Sequence, residues 1–139
     1  MITMRTTDPK LTALRSIDVL RDLSSRQLRD LASNVDEVMV DAGEILIHEG
    51  QLNRHAYFVE SGSMSIEVGG EHIATVADGS IVGERTAIER GPANATVRVQ
   101  AAGRVFAIDH RVLLGAASNA SAFADVLHGL ADARSNAAA

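Results

Sequence analysis

Residues Gly79–Val97 have the sequence GSIVGERTAIERGPANATV, which contains a strand end, a Gly-Glu step, about one helical turn, a Gly-Pro break and an alternating strand. Gly83 allows the backbone to come close to a ligand, and the first amides of a turn that begins near Glu84 have no intrahelical partners. A helix start favours negative charge, and the Glu84 carboxylate can accept hydrogen bonds from the vicinal hydroxyls of a sugar. This order predicts a pocket for a phosphorylated ribose.

The same stretch closely resembles the phosphate-binding cassette of the cyclic nucleotide-binding domain family, whose usual form is F-G-E, a short helix and P-R-x-A-T-V. Val82-Gly83-Glu84 is similar to the first part, and the sequence PANATV over residues 92–97 is similar to the second. The interval from Glu84 to Ala93 is the one that the family keeps between its ribose-binding glutamate and its phosphate-binding arginine. The resemblance implies that Glu84 binds ribose, and that Ala93 replaces the arginine that neutralises the cyclic phosphate.

Nine residues of this cassette form the candidate ligand-binding set: Val82, Gly83, Glu84, Arg85, Thr86, Ala93, Asn94, Ala95 and Thr96. The resemblance places the Asn94 amide near phosphate and the Thr96 hydroxyl where some members select a base. Arg85 or Arg90 could replace the missing positive charge. The alternative is that both arginines are exposed and pair with nearby glutamates, Glu84 or Glu89.

The resemblance extends from about Leu14 to Leu130. Residues 42–50 (AGEILIHEG), 57–62 (YFVESG) and 104–114 (RVFAIDHRVLL) are similar to other strands of the family, the last one passing through Asp109 into a helix. We therefore expect a mainly β protein with flanking helices, built as an antiparallel β-roll or jelly roll of the cyclic nucleotide-binding type. In the family, a helix near the C-terminus closes over the nucleotide and reports its presence to a neighbouring domain.

The predicted organisation is a flexible N-terminus over 1–10, a cyclic nucleotide-binding-like domain over 11–132 and a disordered tail over 133–139. Within the domain, helical spacing covers 11–36, strand alternation and punctuating glycines cover 37–109, and C-terminal helices cover 110–132.

Local signals within this domain mark individual elements. Ser24 and Gln27 predict a capping box, and Gly69-Gly70 predicts a hairpin turn. Residues 63–68 alternate polar and apolar, which predicts a half-buried strand. Asp109 predicts the N-cap of a helix that reaches about residue 117, and a second helix after residue 121 carries an apolar face but is interrupted by a glycine. The apolar face comprises Phe123, Val126, Leu127 and Leu130, and the glycine is Gly129.

Composition excludes several classes of protein. The 139 residues suit one domain, and the net charge of −5 argues against a nucleic-acid partner. There is no cysteine, so disulfides and thiolate metal sites are excluded, and five histidines without ligand spacing argue against a metal centre. No apolar run reaches about 20 residues and no signal peptide is visible, so a soluble cytoplasmic protein without a membrane partner is expected.

No nucleophile-base-orienter pattern is present, so we do not expect an enzyme. The sequence predicts a small regulatory or sensor module that binds cyclic AMP or cyclic GMP weakly, or a different anionic metabolite, and acts on an effector protein in trans. A homodimer is a further option. The competing function is a ligand-independent interaction or structural module that keeps the fold with a degenerate pocket.

Overall fold

The computed structural model describes residues 9–118. This part contains helices and strands in an order that places most of the helices at the two ends. The helices are α1 (Pro9–Arg15), α2 (Ser25–Ala32), α3 (Arg85–Glu89) and α4 (His110–Ser118), with a 3-10 helix at Asp18–Leu20. The strands are β1 (Val35–Val40), β2 (Ile45–Ile47), β3 (His55–Val59), β4 (Ser63–Val68), β5 (Glu71–Ala77), β6 (Ile81–Val82), β7 (Thr96–Ala101) and β8 (Gly103–Asp109).

The strands form two four-stranded antiparallel sheets. One sheet has the order β1-β8-β3-β6 and the other has the order β2-β7-β4-β5. Strands that are consecutive in the chain therefore often lie in different sheets, as expected for a jelly roll. The predicted antiparallel β-roll with flanking helices is confirmed.

The β1-containing sheet is buried on both faces, because successive strand residues point to opposite sides. Phe58 and Phe106 pack against the helices together with Leu14 and Leu28, whereas the next-door Val59 and Val105 pack against the second sheet. The phenylalanines and valines lie in the central strands β3 and β8, and the two leucines lie in the helices. All six side chains are fully buried, at 0% exposure. The domain thus has three layers, with one apolar cluster on each face of the middle sheet.

The N-terminal helical part is divided more finely than the sequence predicts. The capping box is confirmed, since Ser24 Oγ accepts from Gln27 N at 3.1 Å and Gln27 Oε1 accepts from Ser24 N at 2.8 Å. The helix begins at Pro9, so residues 9 and 10 belong to α1 rather than to a flexible segment. Val35 fits the helical spacing but pairs with Ile108 in the first sheet, so the β-roll begins at residue 35 rather than 37.

One predicted turn and one predicted helix cap are confirmed. Gly69 and Gly70 have φ values of 61° and 83° and join β4 to β5. Asp109 Oδ1 accepts from Arg111 N at 2.7 Å at the start of α4, which is the expected N-cap contact. That hydrogen bond is the largest cause of a lowered pKa of Asp109.

Ser65 belongs to the polar set of the alternation in β4, yet it is only 6% exposed. Ser65 Oγ lies 3.2 Å from Glu67 Oε2 and 2.7 Å from His72 Nδ1, so the hydroxyl can donate to the carboxylate and accept from the ring. Strand alternation assigns a face but does not show how far neighbours cover it.

The predictions for 1–8 and 119–139 lie outside the described residues. These include the second C-terminal helix with its glycine, the tail over 133–139 and the last part of the family resemblance.

Candidate functional site

A pocket opens where α3 meets the ends of the two sheets. It has about 610 Å³ of empty space, part of which is open solvent. Eight of the nine residues predicted from the sequence line it: Val82, Gly83, Glu84, Arg85, Thr86, Ala93, Asn94 and Ala95. The fold therefore brings the two halves of the cassette, which α3 separates along the chain, to one surface.

Thr96 is the predicted residue that the structure places outside this lining. Its Oγ1 accepts a hydrogen bond from Glu49 N at 3.1 Å, which ties β7 to the turn after β2. The hydroxyl is thus engaged in a structural contact in this state of the protein.

Six further residues line the pocket and were not predicted: Ile47, Asn53, Ile66, Ile73, Ala74 and Val97. Strand alternation does assign Ile66 and Val97 to the inner face. It does not reveal which end of the sandwich stays open, because that depends on how β2, β4 and β5 are placed around the cassette. Asn53 donates from Nδ2 to His55 O at 2.7 Å and holds the segment before β3 against this wall.

Gly83 is required at the entry to α3 for two reasons. Its φ is 83°, and a Cβ at this position would lie 2.8 Å from His55 O and 2.8 Å from Ile47 Cδ1. Contacts of that length do not occur for real Cβ atoms, and the backbone conformation itself favours glycine. The close approach that the sequence predicts is therefore made to β2 and β3 of the same chain.

Glu84 follows Gly83 and is fully buried at 0% exposure. It occupies the N-cap position of α3, with φ −73° and ψ −24°, and its carbonyl oxygen accepts from Ala87 N at 3.1 Å. Its side chain makes no capping hydrogen bond to the helix. Helix capping therefore does not account for a carboxylate on the pocket wall.

Arg85 and Thr86 follow on the first turn of α3. Arg85 Nε lies 2.9 Å from Glu89 Oε1, one helical turn later, and Thr86 Oγ1 donates to Gly83 O at 3.4 Å. Arg90, the other arginine considered from the sequence, is exposed and does not line the pocket. The structure thus separates the two arginines, and only Arg85 faces the candidate site.

Ala93 forms part of the opposite wall and is 5% exposed. Its N–H donates to Gln51 O at 2.8 Å and its carbonyl accepts from Gly50 N at 2.7 Å, while Pro92 forms a bridge with Leu52. Both sides of the residue are therefore fixed to the loop after β2. A side chain at position 93 projects from a rigid backbone.

His110, the first residue of α4, contacts the cassette directly. Its Nε2 lies 2.9 Å from Gly83 O, so the neutral Nε2–H tautomer donates to this carbonyl. Burial lowers the pKa of His110 below its ordinary value of 6.5, and hydrogen bonds to the backbones of Gly83 and His55 oppose this shift. The charged or titratable groups around the ring are Asp109, His55, Arg54 and Arg111.

This lowered pKa predicts a pH-dependent stability. At pH values between the folded and the unfolded pKa of His110, the unfolded chain binds more protons than the folded chain. The contribution of neutral His110 to the free energy of unfolding is therefore complete above pH 6.5 and is lost as pH falls through the folded pKa. We expect His110→Gln, which keeps a donor for Gly83, to reduce the fall in unfolding free energy between about pH 7 and pH 5. Urea titrations at several pH values measure this effect.

The matched control is His48→Gln, because His48 is exposed on the turn after β2. This variant should follow the wild-type pH curve. An unchanged curve for His110→Gln would contradict the assignment of the effect to the ring of His110.

The described residues 9–118 contain no group of three or more His, Cys, Asp or Glu that could hold a metal ion. Within the same range, no helix is long and apolar enough to cross a membrane.

Comparison with known proteins identifies the family of this chain. The model of the cyclic nucleotide-binding domain matches residues 37–119. The chain is 28% identical over 101 residues to the cGMP-dependent protein kinase, isozyme 1, of Drosophila melanogaster. This match covers 72% of this chain and 13% of the kinase.

Two solved structures share the fold. The regulatory domain of Toxoplasma gondii PKA in complex with cAMP superposes with a TM-score of 0.80 and 19% identity, covering 93% of this chain and 51% of that one. The regulatory subunit of a cAMP-independent protein kinase A from Trypanosoma brucei gives a TM-score of 0.82 and 18% identity, covering 93% and 48%. The chain spans less than two thirds of each of these relatives. Because the family model matches more than half of its length, the chain belongs to the cyclic nucleotide-binding domain family.

Proposed function

We propose that this domain binds a ribose-containing phosphorylated ligand in the pocket around Glu84, and that it regulates an effector protein in trans without catalysing a reaction. The place of Glu84 in the pocket lining, next to Gly83 at the start of α3, carries the proposal. A carboxylate has two oxygens that accept hydrogen bonds from hydroxyl donors. The vicinal hydroxyls of a ribose provide two such donors.

We further propose that cyclic AMP and cyclic GMP bind weakly, because Ala93 stands where the family carries its phosphate-binding arginine. A charge-assisted hydrogen bond contributes about 1.5–3 kcal/mol, and a buried charge left without its partner can cost about 3–5 kcal/mol. At about 1.4 kcal/mol per decade, the loss of this partner weakens binding by about ten-fold to several thousand-fold. A different anionic metabolite could then be the preferred ligand.

The structural relatives support this range of ligands. The Trypanosoma brucei subunit belongs to a cAMP-independent kinase, and a variant of it with three substitutions, one of them threonine to arginine, is bound to cAMP. The same fold therefore occurs with and without a dependence on cAMP. The regulatory role of these relatives also supports a regulatory role for this chain.

The second candidate function is a ligand-independent interaction module. Ala93 favours it, since this residue packs into the apolar cluster between the sheets and offers no donor to an anion. Under this alternative the pocket is an inherited feature of the fold.

The substitution Glu84→Gln tests the proposed function. It keeps the shape of the side chain and removes the charge, so cyclic AMP affinity should fall by about ten-fold to one hundred-fold, the equivalent of about 1.5–3 kcal/mol. Calorimetric titration, extended by NMR titration to millimolar concentrations, measures this loss. The exposed Glu71 lies outside the pocket, so Glu71→Gln is the control and should bind as wild type.

The outcomes separate the two candidates. Wild-type binding that Glu84→Gln does not weaken would contradict the ribose-binding role of Glu84. If cyclic AMP, cyclic GMP and a thermal-shift screen of phosphorylated metabolites give no binding, the interaction module is the better description. Submicromolar affinity for either cyclic nucleotide would overturn the proposed effect of Ala93.

A further inference from the structure

Arg85 is the one lysine or arginine among residues 9–118 that lines the pocket. Its side chain is 22% exposed, and the preceding residue Glu84 and Ala93 of the second cassette half line the same cavity. A guanidinium is planar, always charged and able to donate two parallel hydrogen bonds to a phosphoryl or carboxylate group. The pocket therefore combines one acid for hydroxyl donors with one cation for an anion.

Glu89 and Asn94 are among the neighbours that hold this guanidinium at the pocket. Glu89 Oε1 lies 2.9 Å from Arg85 Nε, and the Asn94 amide, oriented with its oxygen toward the arginine, accepts from Nε at 3.2 Å and also from Nη1. The reverse amide orientation would place donors against donors. Asn94 belongs to the second half of the cassette, so its contact with Arg85 joins the two halves at the pocket.

The order of charges on α3 is the less favourable one for a helix. Arg85 is the first residue of α3 and Glu89 is the last, so the cation lies at the positive end of the helix dipole and the anion at the negative end. The opposite order, with the glutamate first, would favour the isolated helix more. The helix dipole therefore does not explain why an arginine occupies position 85.

The geometry points to Arg85 as the cation that receives the anionic group of the ligand, with Glu89 as an internal counter-ion that the ligand displaces and Asn94 as the residue that keeps the guanidinium at the pocket. This inference rests on the proposed function. The Glu89 side chain is 46% exposed, so its carboxylate can move into solvent when a phosphoryl oxygen takes its place. A partly exposed ion pair of this kind is weak, which makes the exchange feasible.

The inference is tested with three variants and two related ligands, cyclic AMP and the uncharged adenosine. Arg85→Gln should weaken cyclic AMP binding by about ten-fold or more, whereas Glu89→Gln should strengthen it by about two- to five-fold because the competing carboxylate is gone. Adenosine binding should change in neither variant. Arg90→Gln is the matched control, since Arg90 is in the same cassette but outside the lining, and it should bind as wild type.

A second measurement does not require nucleotide binding. The NMR signal of the Arg85 Nε–H group should shift on titration with inorganic phosphate, and the shift should saturate at lower phosphate in Glu89→Gln. A phosphate response without nucleotide binding would support Arg85 while the proposed ribose site fails. Cyclic AMP binding that depends on Glu84 but is unchanged in Arg85→Gln would overturn the role of Arg85 alone, as would a signal that neither phosphate nor cyclic AMP shifts.

Discussion

Ala93→Arg should strengthen the binding of cyclic AMP by about ten-fold to several thousand-fold. The hydrogen bonds to Gly50 and Gln51 fix the backbone at position 93, which lies in the pocket lining, so the new side chain starts from a backbone that stays in place. An arginine there would supply a bidentate donor to the phosphate opposite the Glu84 carboxylate. The gain comes from the new charge-assisted hydrogen bond and from the neutralisation of a phosphate charge that has too little positive charge beside it in the wild type.

Calorimetry with cyclic AMP, cyclic GMP and adenosine measures this gain and its dependence on the phosphate. Ala93→Gln is the control of similar length without charge, and it should give little or no increase. Ala93 is 5% exposed, so thermal unfolding is measured alongside to establish that each variant retains the fold. A folded Ala93→Arg protein with unchanged affinity would mean that the cavity is closed or shaped for another ligand.

Gly103→Ala should destabilise the domain by about 3 kcal/mol or more, at or above the upper end for overpacking. A Cβ at Gly103 would overlap Ser61 O and lie 2.8 Å from Gly62 N, both of which are backbone atoms. Either β8 or the connection between β3 and β4 must therefore move, and Gly103 pairs with Val40 at the start of β8. The next residue, Arg104, donates from Nε to Glu60 at 3.0 Å and forms an ion pair with Glu37, so the shift also disturbs a charged cluster.

Urea unfolding monitored by circular dichroism measures the loss. Gly115→Ala is the matched control, because a Cβ at this position of α4 meets nothing within 4 Å. Replacement of a helical glycine should instead stabilise the protein by up to about 1 kcal/mol. If Gly103→Ala lies within about 1 kcal/mol of wild type, the close approach of Ser61 and Gly103 can relax without cost and the argument is wrong.

Much of the fold could be predicted because its signals are local. The capping box at Ser24 and the turn at Gly69-Gly70 depend on neighbours within four residues, and both were predicted correctly. The cassette is also contiguous in the sequence, so eight of its nine candidate residues are found around one pocket. Whether they bind the expected ligand stays a prediction.

The local pattern does not describe residues whose environment is supplied by other strands. Val35 has helical spacing, yet its pairing with Ile108 makes it the first residue of a strand. Ser65 belongs to the polar set of β4, yet it is buried, with its hydroxyl against His72 of the next strand. In both cases the competing structure involves contacts that the local pattern does not contain.

By itself, the sequence determined the succession of a helical segment, a β-roll and a further helix, the cassette with Gly83 and Glu84, and the uncharged residue at position 93, because each depends on the identity and spacing of adjacent residues. Only the tertiary structure decided which strands form the far wall of the pocket and that Arg85 faces it while Arg90 does not. It also joined His110 to Gly83 across 27 residues. These features depend on strand register and helix orientation, which arise when distant segments pack together.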